Sequence, residues 1–178
     1  STQSRSSAAS DVYKRQGYMR DFPVERLYRD ARITNIYEGT SQLQVVAAIR
    51  SVMTGLLTQR LTFFAQQVKG EAFAAEAKLL AALTEELTQS IEQVQKAENP
   101  NYIDFHARRL VEIGGFIAIA YLLILDSERC TCEKNCFEQS ARRFVRYAEV
   151  QVRERVMLIN SITLEAYLAD YDVETPEA

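Results

Sequence analysis

Ile36-Tyr37-Glu38-Gly39-Thr40-Ser41-Gln42 sets a carboxylate, a glycine and two hydroxyls side by side in one short run. A glutamate can take a proton from a weakly acidic carbon only if burial raises its pKa and the developing negative charge is stabilised. Gly39 has no Cβ, so a ligand and the backbone can approach closely next to Glu38. Thr40, Ser41 and Gln42 open a helix, where free N–H groups and the positive dipole end suit a phosphate or another polar ligand. Each also has a plainer reading: Glu38 as a solvated carboxylate in a polar turn, Thr40 and Ser41 as a helix cap. Cys130, Cys132 and Cys136 make a C-x-C-x-x-x-C cluster. It lacks paired C-x-x-C knuckles and an evident fourth ligand, so reduced thiols in a connection are expected, with a metal site as the alternative. His106, the only histidine, is expected on a helix surface or in a hydrogen bond.

The elements that must hold these residues are helical. Three prolines, at 23, 100 and 176, and six glycines punctuate the chain too sparsely for many short strands. Pro23 suits the first turn of a helix that Asp21 can cap and that runs to about Arg32. An irregular connection, Ile33 to Gly39, leads to a second helix, capped by Thr40 or Ser41 and reaching about Leu57. From Thr58 to Gly70 the periodicity does not separate a strand from a short helix. Leu79, Leu80, Leu83, Leu87, Ile91 and Val94 then recur as one apolar stripe between Glu71 and about Glu98. Asn99-Pro100 breaks it. Another helix is predicted from Asn101 to about Asp126, and a further one from about Glu133 to Ile159, striped by Phe137, Ala141, Phe144, Ala148, Val152, Val156 and Ile159. The fold class is all-α, an antiparallel helical bundle, with a loose acidic tail from Asp170. Ile113 to Leu125 is nearly all apolar but falls short of the ~20 residues of a bilayer span, and Gly114-Gly115 suggests close helix packing. A buried core helix is the expectation, peripheral membrane contact the alternative.

The run Gly17-Tyr18, Asp21-Phe22-Pro23-Val24-Glu25-Arg26-Leu27-Tyr28-Arg29-Asp30-Ala31-Arg32 and Ile36 to Gln42 resembles, without a gap, the C-terminal signature of the flavin-dependent acyl-CoA dehydrogenases. The resemblance covers Gly17 to about Arg50. It implies that Glu38 removes the α-proton of an acyl-CoA thioester while the β-hydrogen leaves as hydride to flavin N5, giving a trans-2-enoyl-CoA. It implies that the Glu38 N–H and a ribityl hydroxyl hold the thioester oxygen. By the same resemblance Tyr37 lines the acyl pocket, Gly39 contacts substrate, and Thr40, Ser41, Gln42 and Gly17 contact FAD. An electron-transferring flavoprotein as acceptor, a homodimer or homotetramer, and a bacterial cytoplasmic setting also follow from it. The C-terminal half resembles, more weakly, the extra helical region of some longer bacterial members. The alternative is a non-catalytic helical module for oligomerisation or membrane contact.

Composition agrees with a soluble globular chain: 178 residues, 47% hydrophobic and 25% charged. A net charge of −3 and a pI near 5.4 give no basic excess for nucleic acid. Arg108-Arg109 and Arg142-Arg143 are expected on solvated or salt-bridged faces, and Glu25, Arg26, Arg29 and Asp30 in structural ion pairs. Ser1 to Gln16, rich in Ser and Ala, lacks both an apolar period and the apolar centre of an export signal; it reads as a non-native or disordered leader. The expected organisation is leader 1–16, end of a catalytic helical domain 17–57, helical extension 58–170 and tail 171–178. On that reading the chain is the C-terminal part of a longer enzyme and is inactive alone.

Overall fold

Proline fits the first turn of a helix because the N–H it lacks would have no partner there, and Pro23 begins α1 (Pro23–Ile33). The computed structural model of the protein describes residues 23–34, 41–131 and 136–171. Every regular element among them is helical. The chain divides into two compact units, Ser1–Gln44 and Val45–Ala178. In the first, α1 carries the expected ion pairs, Arg26 with Asp30 and Glu25 with Arg29, both 3.6 Å apart. They are i,i+4 pairs at the surface, worth a few tenths of a kcal/mol each.

α2 (Ser41–Met53) ends before the predicted Leu57. Gly55 causes this: its φ of 76° is left-handed, a conformation glycine adopts without a Cβ penalty. The Thr54 hydroxyl closes the last turn by donating to the Arg50 carbonyl at 2.8 Å. The stretch left undecided from Thr58 to Gly70 is mostly helix, α3 (Leu56–Gln67), with Leu61 fully buried. The exposed Phe63 and the part-buried Phe64 share the guanidinium of Arg60, 5.0 Å from each ring. The connection after α3 is tied down by a distant carboxylate. Glu128 accepts from the backbone N–H groups of Lys69 and Gly70, at 3.3 and 2.8 Å.

A 3-10 turn (Glu71–Phe73) leads into α4 (Ala74–Lys96). Of its predicted stripe, Leu80, Leu83, Leu87, Ile91 and Val94 are buried, and Leu79 packs at the core's edge. Asn99 caps α5 (Pro100–Arg129), its side chain accepting from the Tyr102 N–H at 3.1 Å. α6 (Cys136–Ser161) follows. Ala141, Ala148, Val152 and Ile159 are buried as predicted, while Phe137 is exposed and Val145 takes a core place the stripe omitted. The tail expected to be loose from Asp170 is preceded by α7 (Leu164–Tyr171), so Asp170 itself is helical. Thr163 explains the start: its hydroxyl accepts from the Ala166 N–H at 3.3 Å.

Pairs across α5 and α6 climb one helix as they descend the other: Tyr102 with Ile162 just past α6, Glu112 with Arg155, Phe116 with Tyr147. The helices are therefore antiparallel. The same holds for α4 and α5, where Leu87 meets Gly114 and Thr84 meets Tyr121. α3, α4, α5 and α6 enclose one core. Gly114 packs tightly there, since a Cβ would run into the Leu57 side chain and push it aside; around Gly115 a Cβ would meet nothing within 4 Å. Close packing thus belongs to Gly114 alone, and Gly115 faces outward.

Candidate functional site

A helix beginning without acidic side chains presents uncompensated N–H groups. α2 is such a helix: its first turn carries no Asp or Glu. Ser41 and Gln42 lie in that turn, both exposed. Hydroxyl, amide and backbone donors at such a helix start can hold a polar or anionic ligand. Of the other residues singled out in the sequence, Gly17, Tyr37, Glu38, Gly39 and Thr40 lie outside the described residues. Ser41 and Gln42 are therefore the two candidate positions that the described structure brings together.

A groove of about 360 Å³ opens where the joint between α2 and α3 faces α4. Its walls include Val52, Gly55, Thr62, Thr88, Ile91 and Glu92. The Thr62 and Thr88 hydroxyls donate to the carbonyls of Thr58 and Thr84, at 3.0 and 2.9 Å. Their protons are thereby committed to the helix, and the hydroxyls face outward as acceptors. A smaller cavity of about 150 Å³ lies between α3 and α4, beside Tyr121. Burial pushes the Tyr121 phenol up, against the smaller opposite effect of its hydrogen bond with Thr84.

His106 corrects the sequence reading. It is not on the surface: it is fully buried, and neither ring nitrogen makes a well-formed hydrogen bond among the described residues, the Ile162 carbonyl being its nearest polar neighbour. The rings of Tyr102 and Phe105 stand edge-on to it, at 4.6 and 4.9 Å between centroids. The nearby Ile162 carbonyl already accepts from the Tyr102 hydroxyl at 2.7 Å. Desolvation first, and the Arg109 charge second, push the imidazole down to about 4; the Ile162 carbonyl acts the other way and is the smallest of the three effects. The ring is neutral at pH 7 and is enclosed by core side chains. A helical face with one apolar stripe gives no sign in sequence that its histidine points inward, and the aromatic neighbours at 102 and 105 were the available hint.

Arg108 and Arg142 lie in ion pairs, as expected. Arg108 Nε meets Glu112 at 2.8 Å. Arg142 pairs with Glu138 on its own helix, bridges α6 to Glu76 of α4 and to the Ala72 carbonyl just before it, and lies 4.9 Å over the Phe73 ring. Arg109 lies 4.8 Å over Phe105 and donates to its carbonyl. Cys130 is a part-buried free thiol just past α5. Cys132 lies outside the described residues, and nothing is described of the Cys136 side chain beyond its place at the start of α6. Among the described residues no group of three His, Cys, Asp or Glu side chains could hold a metal ion. α5 is long and apolar enough to cross a bilayer, but half of its most apolar stretch is buried among its neighbours.

Two family descriptions match in tandem. "Acyl-CoA dehydrogenase C terminal" covers residues 53–167 and "Acyl-CoA dehydrogenase, C-terminal domain" covers residues 3–53. Their meeting point falls at the end of α2. Among curated relatives, an acryloyl-CoA reductase (NADH) from Anaerotignum propionicum is 53% identical over 45 residues, 25% of this chain and 11% of that protein. An acyl-CoA dehydrogenase from Bacillus subtilis is 47% identical over 47 residues, 26% of this chain and 12% of that protein. A cyclohexane-1-carbonyl-CoA dehydrogenase from Geobacter metallireducens is 44% identical over 45 residues, 25% and 12% of the two chains. The chain thus spans about an eighth or less of the relatives it matches. A crystal structure of an acyl-CoA dehydrogenase family protein from Porphyromonas gingivalis aligns with a TM-score of 0.58 and 27% identity. It covers 65% of this chain and 97% of its own, so that neighbour is the shorter of the two.

Proposed function

The chain belongs to the acyl-CoA dehydrogenase C-terminal family, and on that basis we propose that it is the C-terminal part of an FAD-dependent acyl-CoA dehydrogenase. The observation that carries this reading is the gapless run ending in Ile36-Tyr37-Glu38-Gly39-Thr40-Ser41-Gln42, inside the matched residues 3–53. The names of the matched relatives share a CoA thioester, which supports an acyl-CoA as the substrate class.

In this reading the Glu38 carboxylate takes the α-proton, and its own N–H holds the thioester oxygen as negative charge gathers there. Tyr37 walls the acyl chain, and Gly39 lets the thioester lie close to the backbone. Ser41 and Gln42, with Thr40, bind FAD through donors at the start of α2, and Gly17 contacts it from a separate turn. FAD supplies the acceptor for the β-hydrogen and its electron pair, leaving a trans-2-enoyl-CoA. An electron-transferring flavoprotein as onward acceptor, a homodimer or homotetramer and a bacterial cytoplasmic setting belong to the same proposal, as does an extension (58–170) that follows the catalytic part (17–57). The isolated 178-residue chain is expected to retain neither FAD nor activity.

The test uses the full-length enzyme. Glu38→Gln keeps the side chain's size but removes the base. Flavin and acyl-CoA binding should persist, while anaerobic flavin bleaching by acyl-CoA slows by ~10²–10⁴. Glu38→Asp should slow it less, because a carboxylate remains, withdrawn by one methylene. Bleaching at the parent rate in Glu38→Gln would place the base elsewhere.

A further inference from the structure

The groove of about 360 Å³ and the cavity of about 150 Å³ adjoin, because Thr62 belongs to the walls of both. Together they form one trough between α3 and α4, wholly inside the second compact unit. Along α3 it runs from Gly55 to Ala65, about 15 Å of helix. Its two ends differ in chemistry. Leu61, Ala65, Ala81 and the Tyr121 ring make an apolar recess at one end. The polar atoms of that recess are already engaged: the Thr84 hydroxyl donates to the Leu80 carbonyl at 2.8 Å and takes the hydrogen bond of Tyr121. The other end is built of acceptors. The Thr54, Thr62 and Thr88 hydroxyls donate to the carbonyls one turn earlier, at 2.8, 3.0 and 2.9 Å. Gln95 Nε2 donates to the Met53 carbonyl at 2.9 Å. These bonds leave the side-chain oxygens as the open hydrogen-bonding groups.

Charge sharpens the difference. Glu92 brings a carboxylate that has no ion-pair partner among the described residues, and no described lysine or arginine lines the groove. The backbone does not offset it. α2 ends and α3 begins on either side of Gly55, so a negative and a positive dipole end meet there and largely cancel. α4 ends at Lys96, which sets its negative end beside Glu92 and Gln95, while Lys96 itself stands outside the wall. We propose that the trough binds an aliphatic primary amine. The ammonium meets the Glu92 carboxylate and the Thr88 and Gln95 oxygens, and the hydrocarbon chain passes Thr62 to lie on Leu61, Ala65 and Ala81. An ammonium offers three donors and no acceptor, which matches a wall of oxygens. The volume lies in the range of small-molecule sites. A carboxylate ligand would face Glu92 with no cation to receive it. A lysine side chain from another protein would carry the right head on a stem too short to reach the recess.

The test is a titration of the 178-residue chain with n-octylammonium below its micellar concentration, followed by heteronuclear NMR. Binding should be saturable and should shift the amides of residues 55–65 and 81–95 together. n-Butylammonium should bind at least about tenfold more weakly, because it buries four methylenes fewer. Octanoate should show no saturable binding. Glu92→Gln should weaken octylammonium about three- to tenfold, and Ala81→Leu, which fills the recess, about tenfold or more. Both positions are exposed on α4, so urea melts should stay unchanged. No saturable binding would overturn the proposal, as would octanoate binding as tightly as octylammonium, butylammonium matching it, or indifference to Glu92→Gln. Binding of a lysine-rich peptide at these residues, with none of octylammonium, would assign the acidic end to a protein partner and equally overturn it. No outcome needs FAD or an acyl-CoA, so none depends on the role of Glu38.

Discussion

Acid should loosen the bundle through His106 before it reaches the carboxylates. The imidazole titrates near 6.5 in the unfolded chain and near 4 when folded. A lowered histidine means that the unfolded state binds the proton more readily between those values. The neutral ring's contribution is therefore complete above about pH 6.5, is lost as pH falls toward 4, and is flat below. From the two pKa values the loss at pH 5 relative to pH 7 is about 2 kcal/mol, and the limit near pH 4 about 3 kcal/mol. Urea melts at pH 7, 6, 5 and 4 report it, with His106→Phe as reference, because a ring without nitrogens removes this titration and leaves the others. The difference in unfolding free energy between the two proteins should change by about 2 kcal/mol from pH 7 to 5. Parallel profiles would mean that His106 finds a proton acceptor or solvent when folded, and the burial argument would fail. Arg109 gives an internal check. Its charge is the second cause of the lowered value, so Arg109→Gln should bring the folded value closer to the unfolded one and make the loss between pH 7 and 4 smaller.

Three further outcomes follow from packing. Gly114→Ala should cost roughly 1–3 kcal/mol in urea melts, because Leu57 must move aside; Gly115→Ala, in open space on the same helix, should gain up to about 1 kcal/mol. Asn99→Ala, losing the cap on the Tyr102 N–H, should cost about 1 kcal/mol by the same measurement. Arg142→Ala should lower the urea midpoint more than Arg143→Ala, since Arg142 joins α6 to Glu76 and Ala72 while Arg143 is exposed.

The long helices were legible because their apolar residues repeat at the helical period over several turns. Leu80, Leu83, Leu87, Ile91 and Val94 each reach the core from one face of α4. Boundaries set by one residue's backbone were harder. Gly55 looks tolerable inside a helix in sequence, yet its left-handed φ divides α2 from α3. α7 was missed because eight residues give barely two periods, and its position depends on Tyr167 reaching the rings of Tyr102 and Phe105. The candidate site behaves in the opposite way. Glu38 is legible as a motif because several residue types recur together at fixed spacing, whereas residues 35–40 lie outside the described structure and only Ser41 and Gln42 can be placed on a helix. His106 shows a third case: the residue type suggested a polar setting, and three-dimensional enclosure by Tyr102 and Phe105 decided otherwise.

The pairing of consecutive helices has a kinetic meaning. α4 with α5 and α5 with α6 close across short connections, so each hairpin forms at little cost in loop entropy, on a scale of roughly microseconds to milliseconds. The contact that completes the bundle is slower: Arg142 must reach Glu76 across 66 positions of chain. Until then α5 is covered on one side only, and it is the segment whose apolar stretch would pass for a membrane span. The transient species most prone to aggregate is therefore a half-wrapped α5. Asp104, Arg108, Asp126 and Arg129, spaced along its outer face, act as gatekeepers that keep such intermediates from joining indiscriminately.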